Sequence, residues 1–326
     1  MTPSTIKSKE DSFFSTLKSN AGVKYTLKST TDIGGPKIYS IRPPYSTYYY
    51  QAKTKKTSIC LHFTVGYIGS DVSTLSKDGS HVSVSYTVDR CGRIYELFDD
   101  SYWSYHLGNA AIGGNGTMSK QSIGIEISNY GPLKMEGSNL IDAYKNVYCK
   151  ASEKEYYYAH DYRGYKYFAS MTPEQIDSIV ALIKHLSAKH DIPIEFKMDD
   201  DVFKSAADAQ AFRGIYCHTN VRPDKFDWPF CEQIKAIIEK CTRKEPIAIT
   251  EADQPQDDPE PETEPEPIVD AAPEPPKEQP KAEPAVCPDD SKVPRQEVTT
   301  PENQSFGILV QLMTGMLNIL QRVFNR

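Results

Sequence analysis

Two histidines and one aspartate of this sequence could together form a metal site. The segment YCHTNVRPDKFDWP, residues 216–229, places His218, Lys225 and Asp227 in one short proline-containing stretch, and His62 ends an earlier apolar run. Two neutral imidazoles and one carboxylate, with a fourth position left to water, form the donor set of a catalytic zinc ion, which lowers the pKa of its water to about 7. A histidine at a strand end can equally be a hydrogen-bonded structural residue, so the spacing alone leaves both interpretations open.

Short apolar strands would have to position these residues. SICLHF, residues 58–63, is typical of a buried strand that ends near His62. SIGIEIS, residues 122–128, alternates so that its three isoleucines share one face and Glu126 lies on the other. Two further runs joined at a Cys-Gly turn, VSVSYTVDR and RIYELFDD, predict a hairpin.

Helix signals follow these strands. TPEQ, residues 172–175, is a capping box with proline at the first helical position, and apolar residues follow it at helical spacing. Residues 230–241 predict a final helix. A tyrosine-rich insertion, residues 156–167, precedes the capped helix; its rings could pack as core or stack on a sugar. Together these elements predict an α/β fold in three layers, with a mixed central sheet flanked by helices.

The composition changes sharply near the C-terminus. Residues 251–304 hold 16 of the 44 acidic residues, only four of the 37 basic ones and 13 prolines, a composition typical of a disordered, extended linker. After it, apolar residues recur every three or four positions and predict an amphipathic helix. We therefore divide the chain into an N-terminal extension packed on the catalytic domain (1–50), the catalytic domain (51–245), an acidic proline-rich linker (246–304) and an amphipathic C-terminal helix (305–326).

The C-terminal helix has several candidate roles. Its alternating spacing fits a self-associating bundle and hence a homo-oligomer, whereas its wide apolar face with few charges fits contact with a membrane or a particle. An inert flexible tail is the remaining alternative.

Charge and cysteine content narrow the class of protein. The residues before the acidic segment are mildly basic, which suits a polyanionic cell envelope, and no nucleic-acid partner is predicted. The N-terminus lacks the apolar core of a signal peptide, and no stretch before residue 300 is apolar enough to span a bilayer. Seven cysteines without a CxxC pair favour buried free thiols and synthesis in a reducing compartment.

Four segments resemble, in the same order, blocks of the zinc amidase family that includes bacterial and phage N-acetylmuramoyl-L-alanine amidases and animal peptidoglycan recognition proteins. They are ICLHFTVG, VSVSYTVDRCGRIYELFDDSYWSYHLG, SIGIEISN and HTNVRPDKFD, and they span residues 58–227. The resemblance implies that the chain acts on bacterial peptidoglycan. It further implies that one Zn²⁺ ion activates the water that cleaves the amide bond between N-acetylmuramic acid and L-alanine of the stem peptide.

The resemblance also assigns roles to single residues. It implies that His62, His218 and Asp227 hold the zinc ion, that Glu126 is the catalytic acid and base, and that Lys225 stabilises the oxyanion. Amide hydrolysis needs these roles, because water must lose a proton, the leaving nitrogen must gain one, and negative charge develops on the carbonyl oxygen.

The sequence departs from the family in two places, and a third motif remains ambiguous. Ser85 and Tyr86 stand where the family has a histidine before the tyrosine, and the loop after the second histidine is slightly short, which leaves Asp224 as the alternative third ligand. Trp103 and His106 fit the family's W-x-x-H-x-G element. With Tyr86 they are the expected substrate-binding residues, although His106 could instead brace its loop.

Three functions follow from these observations. The first is an amidase made without a signal peptide in the host cytoplasm, as a phage lysin that a holin releases or a virion carries to the cell wall. The second is a recognition protein that binds the wall without cleaving it. The third is a structural protein anchored in an oligomer or particle by its C-terminal helix. The presence of all three ligand candidates together with Glu126 and Lys225 favours the enzyme.

Overall fold

The computed structural model describes residues 1–19 and 24–243. The predicted linker and C-terminal helix, residues 246–326, lie outside the described residues. The strands are β1 (Thr26–Asp32), β2 (Lys37–Arg42), β3 (Ser58–Phe63), β4 (Tyr86–Val88), β5 (Ile94–Glu96), β6 (Ser122–Ile127), β7 (Pro132–Glu136), β8 (Asn139–Ile141), β9 (Val147–Lys150), β10 (Tyr157–Tyr162), β11 (Tyr165–Ala169), β12 (Phe196–Lys197) and β13 (Gly214–Cys217). The α-helices are α1 (Pro3–Ser19), α2 (Ile68–Leu75), α3 (Asn115–Gln121), α4 (Pro173–His190), α5 (Ala206–Ala211), α6 (His218–Val221) and α7 (Glu232–Thr242).

An eight-stranded mixed sheet forms the centre of the molecule, with the strand order β1-β2-β5-β4-β6-β3-β13-β12. Strand β3 is parallel to both of its neighbours, β6 and β13, and its register places His62 opposite Glu126. Strands β4 and β5 form the antiparallel hairpin that the sequence predicts.

One face of this sheet carries the main apolar core. The isoleucines of β3 and β6 pack there against Ile179, Ile183 and Leu186 of α4 and against Ile234 and Ile237 of α7. Burying such side chains contributes about 1.5–3 kcal/mol each. The prediction that the three isoleucines of β6 share one face, without Glu126, is therefore confirmed.

A second helical layer covers the opposite face of the sheet. Met118 of α3 and Ala209 of α5 pack there with Cys60 and Tyr216, which alternate with the isoleucines along their strands. Helices on both faces of a mixed sheet confirm the predicted three-layer α/β fold.

The N-terminal residues belong to the same structure. Strand β2 pairs in parallel with β5, so that β1 and β2 extend the central sheet at one edge. Glu10 of α1 is fully buried, and one of its carboxylate oxygens lies 3.3 Å from the guanidinium of Arg90 in the β4–β5 turn. This buried ion pair fixes α1 against the hairpin.

A second sheet, antiparallel and five-stranded, has the order β10-β11-β7-β8-β9. The sequence indicates only a tyrosine-rich insertion here, because several of these strands are too short to show clear alternation. Tyr148 and Tyr157 lie in its core with Ile6 of α1, so some of the insertion's rings pack inside the protein.

Helix α4 begins as predicted. The Thr172 hydroxyl accepts a hydrogen bond from the backbone N–H of Gln175, whose side chain accepts one from the backbone N–H of Thr172. None of the helices among the described residues is long and apolar enough to cross a membrane. The six cysteines that the structure describes are free thiols, and five of them are buried.

Candidate metal centre

The carboxyl ends of three adjacent parallel strands meet at the candidate site. His62 lies near the end of β3, Glu126 lies near the end of β6, and His218 directly follows β13. This edge is where open α/β sheets usually bind ligands, because the loops that leave the strands surround a crevice there. The fold thus brings together residues that are far apart in the sequence.

Three donor atoms from His62, His218 and Asp227 converge at this edge. The Nδ1 atoms of the two imidazoles lie 3.0 Å apart, and Oδ2 of Asp227 lies 2.9 Å from Nδ1 of His218 and 3.3 Å from Nδ1 of His62. All three residues are buried. They form one of the two groups among the described residues whose atoms lie close enough to hold a metal ion.

A hydrogen-bond chain determines which nitrogen of His62 carries its proton. The Ser122 hydroxyl donates its only hydrogen to the carbonyl of Met118 at 2.6 Å, so it must accept from Nε2–H of His106 at 2.9 Å. Nδ1 of His106 is then an acceptor, and Nε2–H of His62 donates to it at 3.0 Å. The lone pair on Nδ1 of His62 therefore points toward Asp227.

The second imidazole is oriented in the same way. Nε2–H of His218 donates to the carbonyl of Leu107 at 3.1 Å, which leaves the lone pair on Nδ1 facing Asp227. Two imidazole lone pairs and a carboxylate oxygen thus meet without a hydrogen among them. Such an arrangement is unfavourable unless a cation occupies the centre, and its donor types suit Zn²⁺.

The protonation states of these groups suit a metal site. Burial, followed by the charge of His218, lowers the pKa of His62 to about 4, so His62 is neutral at pH 7. Burial alone would raise the pKa of Asp227, but positive charge on the imidazoles lowers it well below its ordinary range, and a bound metal ion would supply that charge in place of the imidazole protons. Neutral imidazoles and an ionised carboxylate are the forms that bind metal ions.

The alternative ligand, Asp224, has a different partner. Its carboxylate accepts two hydrogen bonds from the guanidinium of Arg222, at 2.7 and 2.6 Å. The structure therefore brings Asp227, and not Asp224, to the two histidines.

The other metal-binding group consists of Cys60, His62 and His106. Both ring nitrogens of His106 already have hydrogen-bond partners. Burial raises the pKa of the Cys60 thiol well above its usual range, which disfavours the thiolate that binds metals. The group around Asp227 is the better metal site.

Glu126 presents an unpaired carboxylate oxygen beside this centre. Its Oε2 atom is buried and has no hydrogen-bond partner within the described part of the chain. Burial, followed by the negative charge of Asp227, raises the pKa of Glu126 well above its ordinary range, while the charge of Lys225 opposes that shift. A carboxyl group with a raised pKa can both take and return a proton near neutral pH.

Lys225 lies close enough to act electrostatically on the site. Its positive charge adds to the lowering of the pKa of His62. The same charge partly offsets the rise in the pKa of Glu126. A turn holds its backbone, since the N–H of Lys225 donates to the carbonyl of Arg222 at 3.2 Å.

The three predicted substrate-binding residues occupy different environments. His106 braces His62, so its nitrogens do not face a substrate. Trp103 is mostly buried and stacks on Tyr50 with the ring centroids 4.2 Å apart. Tyr86 is only 1% exposed, and its hydroxyl donates to Asp100 at 2.7 Å.

The structure does not bring Tyr86 to the site. In the register of β4 and β6, Tyr86 pairs with Ile125 and Thr87 pairs with Glu126. Because neighbouring residues of a strand face opposite sides, Tyr86 points into the core under α4.

Two residues that shape the site, Ser122 and Gly124, were not predicted from the sequence. Ser122 lies four residues before Glu126 on the same strand and therefore on the same face, so strand alternation could have indicated it. Gly124 lies between them, and an added Cβ would come within 2.6 Å of Val84 and 3.2 Å of His106. Only glycine lets the His106 ring approach the sheet this closely.

One family of known proteins matches this chain in sequence. The family model described as N-acetylmuramoyl-L-alanine amidase matches residues 52–228, which is more than half of the chain. No curated protein is similar enough in sequence to match it.

Several solved structures match part of this chain. The structure of AmiD from E. coli, an N-acetylmuramyl-L-alanine amidase in complex with anhydro-N-acetylmuramic acid-L-Ala-D-gamma-Glu-L-Lys, is 20% identical with a TM-score of 0.37, and the match covers 64% of this chain and 65% of AmiD. The structure of PlyL is 15% identical with a TM-score of 0.35, covering 60% of this chain and 88% of PlyL. The catalytic domain of PlyG is 15% identical with a TM-score of 0.33, covering 60% and 85% respectively.

Proposed function

Because the chain belongs to the N-acetylmuramoyl-L-alanine amidase family, we propose that it hydrolyses the bond between N-acetylmuramic acid and L-alanine in peptidoglycan with a zinc ion held by His62, His218 and Asp227. The observation that carries this proposal is the convergence of two imidazole lone pairs and one carboxylate oxygen beside the unpaired Oε2 of Glu126. Zinc bound there would acidify a water molecule and polarise the substrate carbonyl.

The remaining chemistry belongs to the side chains. Glu126 takes a proton from the attacking water and delivers it to the leaving nitrogen, for which its raised pKa suits it. The ammonium group of Lys225 stabilises the negative charge that develops on the carbonyl oxygen. The contacts of Ser122 and His106 keep the lone pair of His62 aimed at the centre.

Mass spectrometry of digested peptidoglycan tests the proposal. Purified peptidoglycan is incubated with the wild type, with the wild type after chelation and with Glu126→Gln. We expect free stem peptides beginning with L-alanine from the untreated wild type alone, restored to the chelated protein by added zinc. Peptidoglycan that binds but stays intact under all conditions would instead support a recognition protein without catalytic activity.

The biological setting remains a set of predictions. These are an origin as a phage lysin, release by a holin or carriage on a virion, and contact of residues 305–326 with a second copy of the chain, a membrane or a particle.

A further inference from the structure

The tip of the β10–β11 hairpin reaches the loop that carries Lys225. Tyr162 and Tyr165 pair at the end of the hairpin, and Arg163 and Gly164 form the two-residue turn between them. Both turn residues have positive φ, 50° and 86°, as a type I′ turn requires. An arginine in this conformation is under local strain, which the contacts of its side chain must offset.

The guanidinium group of Arg163 binds three backbone carbonyls around α6. Nη1 donates to the carbonyl of Arg222 at 2.9 Å and to the carbonyl of Lys225, while Nη2 is 3.4 Å from the carbonyl of Thr219. The ring of Tyr162 lies 4.7 Å from the guanidinium carbon and restricts its position. Hydrogen bonds from a charged donor are roughly twice as strong as neutral ones.

The carbonyl of Arg222 also accepts the backbone N–H of Lys225, whereas the carbonyl of Thr219 lies within a very short helix. Helix α6 is only four residues long, so carbonyls at its end lack partners within the helix. The hairpin makes a second contact nearby, because the ring centroids of Tyr165 and Phe226 lie 4.9 Å apart. The hairpin thus contacts the loop on both sides of Lys225.

The carbonyl of Asp227 has a hydrogen bond of its own to the N–H of Thr219, whose carbonyl makes only the longest of the three Arg163 contacts, at 3.4 Å. The backbone N–H of Thr219 donates to the carbonyl of Asp227 at 3.2 Å, and the Thr219 hydroxyl donates to the carbonyl of Trp228 at 2.8 Å. Loss of Arg163 would therefore release the backbone at Lys225 while Asp227 keeps its place beside the histidines.

We propose that Arg163 is a positioning residue for Lys225, through which the second sheet takes part in catalysis. This inference rests on the proposed amidase function. Lys225 would act on charge that develops during the reaction, so its displacement lowers kcat and leaves KM nearly unchanged. A shift of about 1 Å in such a group can reduce the rate on the order of 100-fold.

A double-mutant cycle tests this role with Arg163→Ala, Lys225→Ala and the combination of the two. We expect Arg163→Ala to lower kcat about 10- to 100-fold, and the double variant to be no slower than Lys225→Ala. Arg163→Lys, which keeps the charge but has fewer donors, should fall between Arg163→Ala and the wild type. The matched control is Lys166→Ala, which removes an exposed cation from the same hairpin. The proposal would be overturned if Arg163→Ala had the wild-type kcat. It would also be overturned if the loss of kcat in the double variant equalled the product of the two single losses.

Hydrogen exchange gives a readout that does not depend on activity. In Arg163→Ala, backbone amides of residues 224–226 should exchange faster, whereas the Thr219 amide, which donates to the carbonyl of Asp227, and those of residues 122–128 should exchange at the wild-type rate. Bound zinc should remain at the wild-type level. If the wild type cleaves no peptidoglycan, the proposed function fails, but exchange still decides whether Arg163 holds this loop. Faster exchange throughout the protein would indicate general destabilisation and would count against a specific positioning role.

Discussion

The Nε2 atom of His62 lies 3.0 Å from Nδ1 of His106, and this contact, with the Ser122 hydroxyl behind it, fixes the proton of His62 on the side away from Asp227. The hydroxyl of one serine on β6 therefore determines whether a ligand on β3 can offer its lone pair to a metal ion.

Removing that hydroxyl should weaken zinc binding. In Ser122→Ala, His106 can carry its proton on Nδ1 and donate to His62, which moves the His62 proton to the metal side. Loss of such an orienting partner costs about 10- to 100-fold in metal affinity. Competition with a chromophoric chelator measures this affinity. Ser122→Thr keeps the hydroxyl and should retain wild-type affinity.

The matched control for this prediction is Ser58→Ala. Ser58 pairs with Ser122 in the register of β3 and β6, is equally buried, and its hydroxyl has no hydrogen-bond partner among residues 1–19 and 24–243. Equal losses of zinc affinity in Ser58→Ala and Ser122→Ala would show that orientation of the histidines is not the cause.

The third zinc ligand should be Asp227. Asp227→Asn should lose bound zinc, since an amide supplies no negative charge and holds the ion more weakly. Asp224→Asn should keep about one zinc per chain, because its carboxylate pairs with Arg222 outside the centre. Elemental analysis of the dialysed proteins distinguishes the two variants. Zinc lost from Asp224→Asn and retained by Asp227→Asn would reverse the assignment.

The pH dependence of hydrolysis should report on Glu126. Burial and the charge of Asp227 raise the pKa of Glu126, so its carboxyl stays protonated to a higher pH than an exposed glutamate. A protonated carboxyl cannot accept a proton from water, so kcat/KM should fall as the pH drops through this raised pKa. Glu126→Gln should lose about 100- to 10,000-fold in rate.

A partly buried carboxyl outside the site provides the control. Burial also raises the pKa of Glu96, whose side chain accepts a hydrogen bond from Ser40 on β2. Glu96→Gln should keep the acidic limb of the wild-type profile. A wild-type rate that stays constant from neutral pH down to the ordinary range of a glutamate would contradict the role given to Glu126.

The parts of the fold that could be predicted are those with a local signal. The alternation in β6 separates Glu126 from the isoleucines, and the capping box marks the start of α4. Residues whose role depends on distant partners gave no such signal. Arg163 lies in the tyrosine-rich insertion and contacts the loop that carries Lys225, about sixty residues further along the chain. Tyr86 matches a family motif, although the register of β4 turns its side chain toward the core. Register and tertiary contacts, rather than residue type, decide such positions.

The carboxylate of Asp100 should control acid stability. It is fully buried and binds the Tyr86 hydroxyl at 2.7 Å, with Lys189 and His190 of α4 each at 2.9 Å. Although burial opposes it, hydrogen bonding to His190, Tyr86 and Lys189 holds the pKa of Asp100 below its ordinary range. The unfolded chain therefore takes up the proton first as the pH falls, so the contribution of Asp100 is complete above the ordinary aspartate pKa and declines below it.

Asp100→Asn should accordingly lower the free energy of unfolding by about 3 kcal/mol at pH 7, because it leaves the ammonium group of Lys189 without its counter-charge. Its loss of stability between neutral and acidic pH should also be smaller than that of the wild type. Urea unfolding across this pH range measures both effects. Asp99→Asn is the matched control, because the carboxylate of Asp99 is exposed and accepts hydrogen bonds from Ser101 instead. This variant should lower the free energy of unfolding by less than about 1.5 kcal/mol. Parallel stability curves for the wild type and Asp100→Asn would show that the titration of this carboxyl does not set the acid limit of the fold.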